Sequence, residues 1–120
     1  MKNNVIRGIT TLLTIILTAS LGRIQNTDTG MTETWYDLDM SKVVANAQAA
    51  GIPCEYSVRE DGVKCFGEWV IVASHPSVIR YTLVETSLGT GIVLDRHTCQ
   101  DKELIDIATD WKEGSNEHIQ

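Results

Sequence analysis

The sequence has no basic surplus. Ten Lys and Arg residues face sixteen Asp and Glu, a formal charge of −6 at pH 7 over 120 residues. Three of the ten, Lys2, Arg7 and Arg23, lie at the start of the chain. Residues 24–120 therefore set seven basic residues against all sixteen acidic ones, a balance of −9. A nucleic-acid binder needs a basic stripe, and an anionic membrane surface attracts basic clusters, so both partner classes are excluded as expectations. A neutral polymer such as a glycan, or a protein, fits this charge. There is no Cys-x-x-Cys pair: Cys54, Cys65 and Cys99 are widely spaced. An odd count allows one internal disulfide at most and leaves a thiol over. No internal repeat is present. Gly89-x-Gly91 lacks a third glycine, a following helix and a lysine, so it reads as the start or bulge of a strand rather than a phosphate loop.

Long apolar runs are also missing, with one exception. "MKNNVIRGITTLLTIILTASLG" sets Lys2 and Arg7 ahead of an uncharged stretch from Gly8 to Leu21, closed by Thr18, Ala19 and Ser20. This is the layout of a signal peptide. The run falls short of the roughly 18–20 residues of a comfortable membrane span. Residues 1–22 are thus expected to be a cleaved leader or an N-terminal anchor, with membrane attachment through residues 5–21. The expected location is outside the cytoplasmic membrane, secreted or anchored on its outer face.

What remains reads as one domain, residues 35–112, between a polar linker (23–34) and a flexible tail (113–120). "WYDLDMSKVVANAQAAGIP" predicts one helix over about residues 40–50. Met40, Val43, Val44, Ala47 and Ala50 recur at helical spacing, Asp39 or Ser41 caps the start, and Gly51 with Pro53 stops it. The period then changes. "EYSVRE" and "VKCFGEWVIVASH" alternate or run apolar with β-branched residues, and "RYTLVETSLGTGIVLD" supplies two short strands broken at Ser87-Leu88-Gly89. A two-residue turn at Asp61-Gly62 would pair Val58 with Cys65 and place Cys54 near Trp69, which disfavours a Cys54–Cys65 bridge. "DKELIDIATDW" suits a helix or a strand equally. Short strands joined by short turns indicate a small barrel or sandwich.

Candidate chemistry centres on carboxylates. Asp95 ends the apolar run Ile92-Val93-Leu94, and Asp106 lies between Ile105 and Ile107. Burial among apolar neighbours is how a protein tunes a carboxylic acid for general acid–base work. The alternative is that both accept backbone hydrogen bonds at strand ends. Asp95, His97 and Cys99, with His75 as a distant fourth, do not match the paired spacings of structural zinc, so no metal is expected. Trp35, Tyr36, Phe66, Trp69 and Tyr81 could form a sugar-stacking platform, or be core.

One comparison links these segments. "VASHPSVIRYT", "GIVLD" and "LIDIA" follow the order of the 3D, or three-aspartate, domain of bacterial cell-wall proteins, and residues 70–107 resemble that family. "WYDLDMSKVVANAQAAGIPCEYSVREDGVKCFGEWVIVASH" and "VETSLGTGIV" are similar to its small exported or phage-associated branch. The resemblance implies a mainly β fold: a small, six-stranded, double-psi-like β-barrel with one N-terminal helix. It also implies action on peptidoglycan glycan strands, by lytic transglycosylase-type cleavage in an active member, without cofactor. Asp106 matches the catalytic aspartate and Asp95 its supporting partner. His75 stands where the family has its first aspartate, and His75, Thr90 and Gly91 are the expected substrate-binding positions. Arg80-Tyr81-Thr82 replaces a Pro-x-Gly turn, and Arg96-His97 replaces a Thr-Gly pair. A degenerate, non-catalytic glycan- or protein-binding module is the alternative that the same resemblance allows.

Overall fold

The computed structural model describes residues 23–112 and 118–119. Residues 1–22, expected to be a leader or anchor, and residues 113–117 and 120 of the expected tail lie outside the described residues. Nine strands and one helix follow in the order β1 (Ile24–Gln25), β2 (Thr32–Tyr36), α1 (Ser41–Ala49), β3 (Tyr56–Val58), β4 (Lys64–Phe66), β5 (Trp69–Ser74), β6 (Leu83–Thr86), β7 (Gly89–His97), β8 (Leu104–Ala108) and β9 (His118–Ile119). Among the described residues the fold is mainly β with a single helix, as expected. Its nine strands form one sheet that does not close on itself. Two strands come from unexpected places. β1 and the start of β2 fall within the stretch read as a linker, and the ambiguous "LIDIA" is a strand.

β5 is the hub. It pairs with β4 and β8 antiparallel and with β7 in parallel, while β2 runs parallel to β8. A strand paired on both edges and covered on both faces must be apolar throughout, and "WVIVAS" is buried from Val70 to Ser74. Its alternation divides the interior in two. Ile71 and Ala73 face a core with Tyr36, Phe66, Ile92, Leu94, Ala108 and the helix residues Met40, Val43, Val44 and Ala47. Val70 and Val72 face the opposite core with Val63, Cys65, Val93, Ile105 and Ile107. We call these the helix face and the far face.

The helix follows its periodicity with one local change. Met40 occupies the N-cap, and the Asp39 carboxylate accepts from the Ser41 amide and hydroxyl at 2.9 and 2.6 Å. Gly51, at φ +101°, ends it. Ala50 is exposed, because it lies past the last turn.

The β3–β4 hairpin differs by one residue from the expected register. Ser57, not Val58, pairs with Cys65, and the Arg59 amide donates to the Val63 carbonyl. The loop thus holds three residues, Glu60-Asp61-Gly62, with Gly62 at φ +87°. This is a three-residue loop closed by a left-handed glycine rather than a two-residue turn. A side chain at Gly62 would also strike Asp110 Oδ1 at 2.2 Å. All three cysteines are free thiols. Cys54 lies against Gly67, whose Cβ would approach its sulfur to 2.8 Å.

Candidate functional site

Asp95 and Asp106 come from different strands and meet on the two sides of Ala73. Ala73 pairs with Asp95 across β7 and with Asp106 across β8. Adjacent strands lie about 4.8 Å apart, so the two aspartates sit in one row with their backbones roughly 10 Å apart and only a methyl between them.

That arrangement depends on an irregularity. Val72 pairs with Val93, but Ala73 pairs with Asp95, so Leu94 has no opposite number on β5. Strict alternation from Ile92 would send Asp95 to the far face with Val93. The extra residue turns it to the helix face, where Asp106 already lies between Ile105 and Ile107 of the far core. Both aspartates are completely buried, at 0% exposure.

Tyr36 is the third member of this cluster. Its hydroxyl donates to Asp95 Oδ2 at 2.9 Å and lies 3.9 Å from the Met40 sulfur. The Arg96 amide donates to the other oxygen, Asp95 Oδ1, at 2.8 Å. Burial holds the Tyr36 phenol well above its ordinary pKa, and the charge of Asp95, its hydrogen bond and the charge of Asp106 add to that rise. The hydroxyl is therefore a firm donor at neutral pH. Nothing local in the sequence marks Tyr36 as a partner, since 59 positions separate it from Asp95.

The expected substrate positions are spread out. Gly91 is buried in β7, opposite Val70 and Val84, and its missing side chain matters for packing: a Cβ would come within 2.9 Å of Val72 Cγ1 and 3.2 Å of the Val70 carbonyl oxygen. Thr90 donates to Glu85 across the β6–β7 hairpin. His75 follows the end of β5. There it lines a groove of about 300 Å3 with Arg96, His97, Thr98, Cys99 and neighbouring residues. Neither Asp95 nor Asp106 lines that groove. The groove also gathers His97 and Cys99, yet among the described residues no group of three His, Cys, Asp or Glu side chains is placed to hold a metal ion.

The aromatic platform does not form. Tyr36 and Phe66 are fully buried and Trp35 nearly so, while Trp69 and Tyr81 pack against the helix-face core. Trp35 meets Trp111 edge to face at 5.4 Å, and the Trp111 indole donates to the Asp61 carbonyl. These rings are structural because each lies on a strand, or beside one, whose faces are both covered.

A third buried acid, Glu33, carries no mark in the sequence because it sits in the polar stretch before the domain. It is completely buried and accepts from Asn26 Nδ2 at 2.8 Å, from the Ser87 amide at 2.9 Å and from the Ser87 hydroxyl at 2.5 Å. It thereby ties β2 to the β6–β7 turn. Lys64 does similar work on the other side, reaching Asp37 at 2.6 Å and the Leu38 carbonyl at 2.8 Å.

No protein-family model, no curated protein and no solved structure matches this chain.

Proposed function

We propose that this is a cell-wall module of the 3D type that binds peptidoglycan glycan strands from outside the cytoplasmic membrane without cleaving them. The observation that carries the non-catalytic reading is the complete burial of Asp95 and Asp106. A general acid must reach the leaving oxygen within hydrogen-bond distance, directly or through one water. Carboxyls with no exposed surface, one of them occupied by Tyr36 and the Arg96 amide, offer a glycosidic oxygen no approach in this conformation.

The sheet is open rather than closed into a barrel, but two features support a double-psi-like strand arrangement within it. The parallel pairs β2 with β8 and β5 with β7 are linked through the antiparallel contact of β5 with β8. Tyr81 has φ +71°, the left-handed conformation that favours glycine, in the segment that takes the place of the family's glycine turn. The paired aspartates in one row agree with the same reading, with their role turned from chemistry to structure. The charge balance supports a neutral glycan over a polyanion.

The test is a sedimentation assay with purified sacculi, run beside a muropeptide release assay. Wild type should co-sediment, Asp106→Asn with unchanged circular dichroism should co-sediment equally, and neither should release anhydro-muropeptides. Release by wild type that is lost in Asp106→Asn would establish lytic cleavage instead. Absence of co-sedimentation would end the peptidoglycan assignment.

A further inference from the structure

The strand β3 is an open edge of the sheet. Its residues Tyr56–Val58 pair with β4, and among the described residues nothing pairs with their outer side. Every residue from Glu55 to Asp61 is exposed. Tyr56 and Val58 keep 41% and 45% of their surface in water, more than nearly all other large apolar side chains described. An open edge is a template for another strand, and proteins blunt such edges with lysine, proline or a bulge. β3 itself carries none of these.

The hydrogen-bond phase of the β3–β4 hairpin fixes which groups face outward. The Arg59 amide donates to the Val63 carbonyl at 2.9 Å, and the Gly67 amide donates to the Glu55 carbonyl at 2.8 Å. Both bonds belong to one register, in which Ser57 lies opposite Cys65. Bonded and non-bonded pairs alternate along an antiparallel ladder, so residues 55, 57 and 59 turn their backbone groups to β4. Tyr56 and Val58 therefore aim their N–H and C=O groups away from the sheet. Side chains alternate too. Tyr56 and Val58 share the face of their partners Phe66 and Lys64, while Glu55, Ser57 and Arg59 share the face of Cys65.

The segment Glu55-Tyr56-Ser57-Val58-Arg59 is complementary to its own reverse. We propose that β3 pairs antiparallel with β3 of a second copy of this chain, about a two-fold axis at Ser57. In that register Tyr56 of each copy lies opposite Val58 of the other, and their outward groups meet as hydrogen-bonded pairs. The same register sets an aromatic side chain beside a β-branched one and Glu55 opposite Arg59, each pairing occurring twice and each favourable across strands. Arg59 holds Asp61 and the Leu88 carbonyl through three N–H groups, which leaves two of its five for Glu55 of the other copy. An axis at Tyr56 or at Val58 would set Glu55 or Arg59 opposite Ser57 and match one outward residue of β3 per copy instead of two. A three-residue strand buries less than the roughly 1,200 Å2 of a stable interface, so the dimer is weak and reversible. The proposal does not depend on the glycan reading.

The test is sedimentation equilibrium of the full chain from about 10 μM to about 1 mM, the range suited to a weak contact, run beside hydrogen exchange at both ends of that range. Wild type should pass from monomer towards dimer. The Tyr56 and Val58 amides should exchange about threefold or more slowly at the high end, while the Ser57 amide, paired with Cys65 in the monomer, should not change. Glu55→Arg, at an exposed position, turns two attractive pairs into repulsive ones and should weaken dimerisation about tenfold. Val58→Pro removes an outward donor and leaves the ladder to β4 intact, as prolines on edge strands do, so it should stay monomeric with an unchanged circular dichroism spectrum. A wild type that is monomeric at the highest concentration would overturn the proposal. So would a dimer whose Tyr56 and Val58 amides keep their rates, or one that Glu55→Arg leaves as tight as wild type, since the contact then lies elsewhere, as on residues 1–22. Should Val58→Pro unfold, Glu55→Arg and the amide rates still decide. No glycan enters these measurements, so failure here leaves the sacculus assay unaffected, and failure of that assay leaves this interface intact.

Discussion

Replacing Glu33 tests whether a single buried carboxylate anchors the N-terminal strand pair to the body of the sheet. In Glu33→Ala, three hydrogen bonds to a charged acceptor disappear: those from Asn26, the Ser87 amide and the Ser87 hydroxyl. Each such bond contributes about 1.5–3 kcal/mol, a gross loss of roughly 5–9 kcal/mol. The variant also removes the cost of holding a carboxylate at 0% exposure, which is several kcal/mol. The net expectation is a destabilisation of about 2–4 kcal/mol. Against a total of roughly 5–13 kcal/mol for a domain of this size, that is a large fraction. At about 4–8 °C per kcal/mol, the melting temperature should fall by roughly 8–32 °C. Glu33→Gln should cost far less, about 1–2 kcal/mol. Its carbonyl oxygen can take the position that accepts from both Asn26 and the Ser87 amide, and the Ser87 hydroxyl can rotate to accept from the new amide. Urea unfolding followed by circular dichroism measures both variants, and hydrogen exchange at the Ser87 amide reports the local anchor. A Glu33→Ala loss below about 0.5 kcal/mol, the scale of an ordinary surface substitution, would refute the reasoning. Equal losses in the Ala and Gln variants would refute the acceptor account specifically.

Gly91→Ala should destabilise by about 1–3 kcal/mol through overpacking against Val72 and the Val70 carbonyl, measured by thermal unfolding. Tyr36→Phe should cost about 1–2 kcal/mol at neutral pH by removing the donor to Asp95. It should also alter the alkaline limb of stability. The Tyr36 pKa is raised in the folded state, chiefly by burial, so its contribution is whole below about pH 10 and is lost as pH climbs from there through the folded value. Burial raises the Cys65 thiol as well, so in Tyr36→Phe a smaller alkaline loss that begins near the ordinary thiol pKa should remain. Unfolding free energies between pH 7 and 11 check both statements; identical alkaline slopes in wild type and variant would contradict the assigned burial of the phenol.

Much of the fold was legible because it is written in local periodicity. Helical spacing from Met40 to Ala47 and a stop at Gly51 locate α1, and the β-branched run of β5 announces a strand buried on both faces. Local pattern is silent where pairing depends on one residue more or less. Gly62 closes a three-residue loop instead of lying in a two-residue turn, and every partner in that hairpin moves by one. "LIDIA" carries no decisive period; it is a strand because β2 and β5 offer it two edges. Asp95 and Asp106 were identifiable as unusual acids among apolar neighbours, whereas Tyr36 and Glu33 carried no such mark.

The amino-acid sequence by itself determined the class of this protein: an acidic, mainly β domain with one helix. Those properties follow from composition and from contacts within a few residues. Only the tertiary structure decided where the acids lie. Strand alternation alone puts Asp95 and Asp106 on opposite faces, and the extra residue at Leu94 brings them to one face on either side of Ala73. Whether a carboxylate meets substrate or core is settled by pairings between distant strands, which local pattern does not encode.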